Sequence, residues 1–307
     1  MYETIVIGGG PGAMSAILYL SRLGLKTAWV YGYGFGGQIQ NTEVVDNYLG
    51  KGKIYAPILV KDMYSHVENL EHITQIFGMA ENVNKIDDST FVVTTDMGEK
   101  ISGNTVLVAT GASPRKLGVK GEEDFAGFGV SYCAICDAPL FKDKEVAIVG
   151  GGQTALEDAQ ILSRHSKNVY LIHRRQEFRA TNAEVKQAKN TPNIHFLLDT
   201  QVTSIMGKDD VDFIVINEKG IGHRTLSVDG IFIAIGQVPQ TDFLTKNFDY
   251  ILRDGYVETM RNNKVEDLGI FAIGDVVYGN NKQIAIAVGE GANAAIEINK
   301  YLSDPNF

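Results

Sequence analysis

The chain has 307 residues, 44% of them hydrophobic and 21% charged, and its net charge is −9. That length exceeds one ordinary core and suits two folded domains. The acid excess excludes a general nucleic-acid-binding field, no apolar run is long enough to cross a bilayer, and the apolar segment Thr4–Ile7 follows Met1 too closely to leave room for a signal peptide. The expectation is a cytoplasmic protein with no nucleic-acid or membrane partner.

In chain order, Thr4–Ile7 is a short apolar run that ends at Gly8, the pattern of a buried parallel strand. A helix is predicted from Gly12 to Leu23, stopped by Gly24, with Lys26–Val30 as the next strand, completing one βαβ unit. From Glu43 to Ser102 the pattern is mixed, with a helix from Pro57 to His66 and strands at Phe91–Thr95 and Thr105–Ala109. The run Thr110-Gly111-Ala112-Ser113-Pro114 breaks the chain and marks a boundary. The theme then repeats: strand Val146–Val149, helix Thr154–Ser163, strand Val169–Ile172, and further strands at Phe213–Ile216 and Ile231–Ile235. A second boundary falls at Pro239, followed by a strand at Gly269–Ile273 and a long Ala-rich helix, Ile284–Leu302. This predicts an α/β protein of two Rossmann-like, three-layer ββα dinucleotide-binding domains, the second inserted into the first: 1–115 with 245–307, and 116–244.

Each domain opens with a glycine loop. Gly8, Gly10, Pro11, Gly12 and Ala13 fit G-x-G-x-x-A between a strand and a helix. The first glycine permits a tight turn, the second lets backbone approach a pyrophosphate, and the small last residue lets helix and strand pack closely. The helix N-terminus then favours phosphate charge. The acid expected about 20 residues on, to hold a ribose hydroxyl, is missing, because the second strand runs into Trp29-Val30-Tyr31-Gly32. Gly150, Gly152, Gln153, Thr154 and Ala155 form the second loop, and its second strand ends in His173-Arg174-Arg175 with Arg179 close behind. Guanidinium groups at the ribose position suit a 2′-phosphate. The second module is therefore expected to hold NADPH, with NADH a poorer ligand, and the first a flavin dinucleotide.

Cys133 and Cys136, the only cysteines, form a C-x-x-C followed by Asp137. The pair has three readings: redox-active, half of a metal site, or inert buried thiols. The six histidines do not cluster with it, which counts against a metal. Asp137 and the neighbouring nicotinamide loop favour redox work, since thiol–disulfide exchange needs a thiolate attacker and a protonated leaving sulfur. Gly274-Asp275 follows a strand and precedes the last helix, where a carboxylate can accept hydrogen bonds from flavin hydroxyls.

Taken in order, these residues, with Gly36-Gly37-Gln38, Asn47, Ala109-Thr110-Gly111 and Ala234-Ile235-Gly236, resemble the low-molecular-weight, bacterial-type thioredoxin reductases over essentially the whole length. The resemblance implies one FAD and one NADPH per chain, a homodimer, and thioredoxin or a thioredoxin-like protein as partner. It implies that Cys136 is the flavin-side sulfur, Cys133 the interchange sulfur that attacks the substrate, and Asp137 the acid/base. It places Gly37, Gln38, Asn47, Asp275, Gln283 and Ile284 along the flavin. The chain departs from the family where Ala138 and Pro139 follow the C-x-x-C-Asp in place of the usual Gly, and where Leu49-Gly50 stands for a Pro-Gly pair.

The implied path runs from NADPH to flavin to the Cys133–Cys136 disulfide to a protein disulfide. Because one module carries both the nicotinamide loop and the disulfide, it is expected to swing on linkers at Ser113–Gly118 and Gly236–Asp242. Three alternatives stand beside this reading. One is an NAD(P)H flavoenzyme with a glutaredoxin-like or peroxidase-linked acceptor. Another is a diaphorase or ferredoxin–NADP-type reductase that does not use the thiols, and the last is a nucleotide-dependent binding protein.

Overall fold

The computed structural model describes residues 1–266 and 268–304. Their contacts divide into two units. The first comprises Met1–Gln40, Tyr48–Ser113 and the chain from Val238 onward; the second comprises Asn41–Asn47 and Pro114–Gln237.

The first unit is built on five parallel strands in the order Ile270–Ala272, Lys100–Val108, Tyr2–Ile7, Thr27–Val30 and Ile73–Ile76. Parallel strands buried on both faces need apolar side chains at nearly every position. Alternate residues then serve opposite layers. Ile5, Ile7, Val106 and Val108 face a core shared with Val83, Phe91 and Val93 of the antiparallel hairpin Ala80–Asp87/Thr90–Thr95. Val6, Trp29, Leu107 and Phe271 face the other way, onto the helices Pro11–Arg22 and Ile284–Ser303. Those two helices touch at backbone distance: a Cβ on Gly291 would lie 2.3 Å from the Gly12 carbonyl oxygen, and Ser15 Oγ donates to the Val288 carbonyl at 2.7 Å.

The second unit repeats the plan. Its parallel sheet runs Val130–Ser131, Gly230–Ile233, Glu145–Val149, Asn168–Ile172 and Ile194–Leu197. Val146, Ile148, Val169 and Leu171 pack on the helices Gln153–Ser163 and Asn182–Lys189. Ala147, Val149 and Ile172 pack instead on the antiparallel layer Thr200–Gly207, Val211–Glu218 and Gly222–Ser227. The fold is thus α/β with two Rossmann-like segments, each a parallel sheet between helices and a smaller antiparallel layer.

Most predicted elements lie within one or two residues of the observed ones, including the helices Ala56–Ser65 and Gln153–Ser163. The helix Asn182–Lys189 was not predicted, although Thr181 and Glu184 form a complete capping box that starts it. The strands Ile73–Ile76, Ala80–Asp87, Ile194–Leu197 and Thr200–Gly207 were likewise missed. Ala80–Asp87 exposes polar residues along one side and carries two register irregularities, which blur a period of two.

Candidate functional site

Each glycine loop sits where the fold needs backbone without a side chain. Gly8 has φ +130°, and a Cβ there would fall 2.2 Å from the Ala109 carbonyl oxygen. Gly12 faces the Ala287 carbonyl at 3.1 Å from the same imagined atom, and Ala13 is fully buried. Gly10, by contrast, looks into open space. It precedes Pro11 at the start of a helix whose first amides have no side-chain cap. Gly37 comes against Gly10, since its Cβ position lies 3.4 Å from the Gly10 Cα, and the Gly36 amide donates to the Gly9 carbonyl at 2.8 Å. Gln38 lies within the 3₁₀ turn Gly37–Asn41, and Asn47 belongs to the short segment grouped with the second unit.

Ala109 continues the central strand by donating to the Ile7 carbonyl, Thr110 Oγ1 donates to the Gln240 carbonyl at 2.6 Å, and Gly111 takes φ +71°. On the neighbouring strand end, Gly274 also has φ +71° and its amide donates to Glu290 Oε2 at 2.6 Å. Asn280 donates to both oxygens of the same carboxylate. Asp275 follows in a mostly buried position. Burial pushes its carboxyl up to about 6; Lys282 opposes that shift and Glu290 adds to it. Gln283 directly precedes the last helix and Ile284 begins it.

In the second unit, a Cβ on Gly150 would strike the Ala234 carbonyl at 2.4 Å and Ala155 at 2.5 Å, while Gly152 faces open space. Gln153 and Thr154 occupy the exposed first turn of the helix that follows. The His173 ring lies under Gly151, 2.0 Å from where a Cβ would be. His173 is buried, stacks on Phe178 with ring centres 5.0 Å apart, and has Nε2 3.1 Å from the Glu177 carbonyl. Burial lowers its pKa, and Arg174, Arg175 and Arg179 lower it further against that hydrogen bond. The three arginines are exposed, and among the described residues none pairs with a carboxylate. The Arg179 amide is tied to the Gly151 carbonyl at 2.9 Å, which fixes that arginine beside the glycine loop.

Cys133 and Cys136 form a disulfide, with their Cα atoms 5.3 Å apart. Cys133 caps the short helix Ala134–Asp137, and its Sγ accepts from the Cys136 amide at 3.3 Å. Ser131 Oγ donates to Asp137 Oδ2 at 2.5 Å and accepts from the Cys133 amide at 3.1 Å. Asp137 Oδ1 is buried with no hydrogen-bond partner among the described residues. Burial raises the Asp137 pKa against the opposing Ser131 hydrogen bond, and Asp46 adds to the rise. An acid beside a disulfide, held above the ordinary carboxylate range with one oxygen open, is suited to giving and taking a proton. Among the described residues no group of three or more His, Cys, Asp or Glu is placed to hold a metal ion, and no helix is long and apolar enough to cross a membrane.

Sequence reasoning missed the residues that support these sites. Trp29 is buried and its Nε1 donates to the Gly8 carbonyl at 2.7 Å. Glu122 is buried and accepts from the Leu117 and Gly118 amides at 2.9 and 2.7 Å, and from the Tyr132 hydroxyl at 3.0 Å. Ser131 and Glu290 belong with them. In the sequence Ser131 and Glu290 are marked only as polar residues among small and apolar ones, Glu122 only as one of three consecutive acids, and Trp29 only as the chain's one tryptophan.

Asp158, one turn into the second unit's glycine-loop helix, is mostly buried, and burial pushes its carboxyl up to about 7, with Glu157 adding. The folded carboxyl therefore holds its proton more tightly than the unfolded one. Its stabilising contribution is present in acid and is lost as pH rises from about 4 to about 7. Asp158→Asn is expected to stabilise the protein by about 1–2 kcal/mol at about pH 8 and by less at about pH 4.5. Thermal unfolding at the two pH values checks this, and an equal gain at both would contradict it.

Three comparisons bear on identity. The pyridine nucleotide-disulphide oxidoreductase family model matches residues 2–291. The F component of alkyl hydroperoxide reductase in Staphylococcus aureus is 33% identical over 302 residues; the match covers 98% of this chain but 59% of that longer protein. Among solved structures, thioredoxin reductase from Streptococcus pyogenes is 35% identical with a TM-score of 0.92, covering 99% of this chain and 98% of that one. Thioredoxin reductase from Giardia duodenalis is 30% identical with a TM-score of 0.91, covering 99% of each chain. With its two glycine loops, its C-x-x-C disulfide and this whole-length match, the chain belongs to the pyridine nucleotide-disulphide oxidoreductase family.

Proposed function

We propose that the protein is an NADPH-dependent disulfide reductase of the thioredoxin reductase type, a cytoplasmic homodimer whose partner is thioredoxin or a thioredoxin-like protein. Residues 1–115 and 245–307 hold FAD and residues 116–244 hold NADPH and carry the redox pair. The observation that carries the reading is the Cys133–Cys136 disulfide beside Asp137, whose Oδ1 is buried and, among the described residues, without a hydrogen-bond partner, in the same unit as a glycine loop flanked by exposed arginines.

The residues present fit both nucleotides. Gly10 and Gly152 leave open space over uncapped helix N-termini, where a pyrophosphate would meet free amides. Arg174, Arg175 and Arg179 offer charge to a 2′-phosphate. Gly37, Gln38, Asn47, Ala109, Thr110, Gly111, Gly274, Asp275, Gln283 and Ile284 complete the flavin side. Bound FAD supplies a two-electron relay between nicotinamide and disulfide.

The protein's own chemistry follows from the thiols. Two electrons and two protons convert the Cys133–Cys136 disulfide to two thiols. The Cys133 thiolate attacks the partner's disulfide, forming a mixed disulfide and expelling one partner thiolate. The Cys136 thiolate then attacks the Cys133 sulfur, restoring the internal disulfide and releasing the second partner thiolate. Asp137 takes the proton from the attacking thiol and returns it to the leaving sulfur. The Cys136 amide, which donates to Cys133 Sγ, stabilises negative charge on that sulfur.

The identity with the alkyl hydroperoxide reductase component favours a second reading, in which the acceptor is a peroxidase-linked protein. NADPH oxidation with a thioredoxin and with a peroxiredoxin-type protein as alternative acceptors separates the two. The proposal expects saturable turnover with thioredoxin. Turnover with the peroxiredoxin alone favours the second reading, and none with any protein disulfide would sink both.

A further inference from the structure

The strand Thr27–Val30 runs into Tyr31-Gly32 where an acid for the adenosine ribose is expected, and a carboxylate of the same unit, Asp242, lines a cavity beside that point. A cavity of about 220 Å³ lies over Gly8 and Gly9, beside Tyr31 and Gly32, and reaches Met79. It starts at the glycine loop that faces a pyrophosphate and runs past the position of the missing acid. Among the described residues that line it, Asp242 is the only charged one.

The segment that carries Asp242 is firmly held. The Gln240 carbonyl accepts from Thr110 Oγ1 at 2.6 Å and its amide donates to the Gly111 carbonyl at 3.0 Å. Thr241 Oγ1 donates to the Gly255 carbonyl at 2.7 Å. Asp242 then opens the helix Asp242–Phe248, which Asn247 ties to the strand Ala80–Asp87 through bonds to Val83 and Asn84, each 2.8 Å. Its carboxylate is exposed and, among the described residues, has no hydrogen-bond or ion-pair partner. Asp96, the acid on the turn after Thr90–Thr95, is by contrast already occupied by Tyr33 and the Met79 amide. Adenosine presents hydroxyl and amino donors, and a positioned, unpaired carboxylate in a cavity otherwise without charge selects for such donors.

We infer that Asp242 is the carboxylate that receives the adenosine half of the flavin dinucleotide, in place of the acid absent from the end of Thr27–Val30. The inference rests on the flavin reading given above, and it assigns residues 238–244 to the FAD side, with which their contacts group them, rather than to the NADPH domain. Asp242 also sits in the first turn of its helix, where negative charge is favourable in any case, so the test separates the two roles.

Holoprotein of the wild type and of Asp242→Asn is diluted in series, and released flavin is followed by its fluorescence. Asp242→Asn is expected to raise the FAD dissociation constant about tenfold, the loss of one charge-assisted hydrogen bond. FMN has no adenosine, so its affinity should be unchanged, and about tenfold less FMN should displace FAD from the variant. The thermal midpoint of flavin-free protein should fall by no more than about 2 °C, the small share owed to the helix. Unchanged FAD affinity overturns the inference, as does equal weakening of FAD and FMN. A lower midpoint of the flavin-free protein with unchanged FAD affinity assigns Asp242 to its helix alone and also overturns it. Wild-type protein that binds neither flavin would sink the flavin reading and this inference with it, whereas wild-type FAD binding that survives the substitution sinks only the inference.

Discussion

Cys133→Ser is expected to lower protein-disulfide reduction by on the order of a thousandfold or more while leaving NADPH-driven reduction of a small dye within about twofold. Serine keeps the size of the side chain but is too weak a nucleophile to attack a disulfide. Dye reduction draws electrons upstream of the thiols and does not need that sulfur. The fold should survive, because the disulfide closes a loop of only a few residues and contributes roughly 2 kcal/mol by loop entropy. Cys133 is half-buried, and its Sγ accepts from the Cys136 amide, a bond that a serine oxygen can also accept. Steady-state rates with thioredoxin and with ferricyanide, beside a thermal midpoint, check the prediction. Equal rates for variant and wild type on the protein acceptor would place the chain among reductases that do not use the pair.

Replacing Arg174, Arg175 and Arg179 together with alanine is expected to raise KM for NADPH roughly a hundredfold and to leave KM for NADH within about threefold. The three guanidinium groups are exposed and, among the described residues, pair with no carboxylate, so removing them breaks no ion pair there. Charge-assisted bonds to a phosphate contribute roughly 1.5–3 kcal/mol each when well formed, but solvent screening at an exposed site trims the sum. The same screening means that the wild-type preference for NADPH should shrink as salt rises. Arg179 is the one whose backbone is fixed, through its amide on the Gly151 carbonyl, so Arg179→Ala alone should account for much of the effect. KM values for both nucleotides at low and high salt check this. A parallel rise for NADPH and NADH would show that the arginines do not read the 2′ group.

Much of the fold was legible because its parallel strands are buried on both faces and announce themselves as unbroken apolar runs. Val146–Val149 and the glycines after it admit few other folds, since a side chain at Gly150 or Gly151 would collide with the Ala234 carbonyl or the His173 ring. The antiparallel layers were harder. Gly222–Ser227 alternates half-buried and exposed residues with no large apolar side chain except Leu226, and Thr200–Gly207 is interrupted by bulges. Some supporting contacts of the site were not legible because they join residues far apart in the chain, and the local ones, such as Glu122 to the Leu117 and Gly118 amides, follow no recognisable motif. Glu290 reaches Gly274 across 16 positions, and Trp29 reaches Gly8 across 21. His173 shows the limit in another way. The sequence marks it as one of three consecutive basic residues, but the fold buries it and lowers its pKa, while its arginine neighbours stay exposed.

The central claim is that one chain carries two separate two-electron carriers, a flavin and the Cys133–Cys136 pair. Anaerobic titration of the purified holoprotein with NADPH, following flavin absorbance and free thiols together, tests it most directly. The predicted result is uptake of about four electrons per chain with two thiols appearing; uptake of about two electrons, with the disulfide intact, would contradict it.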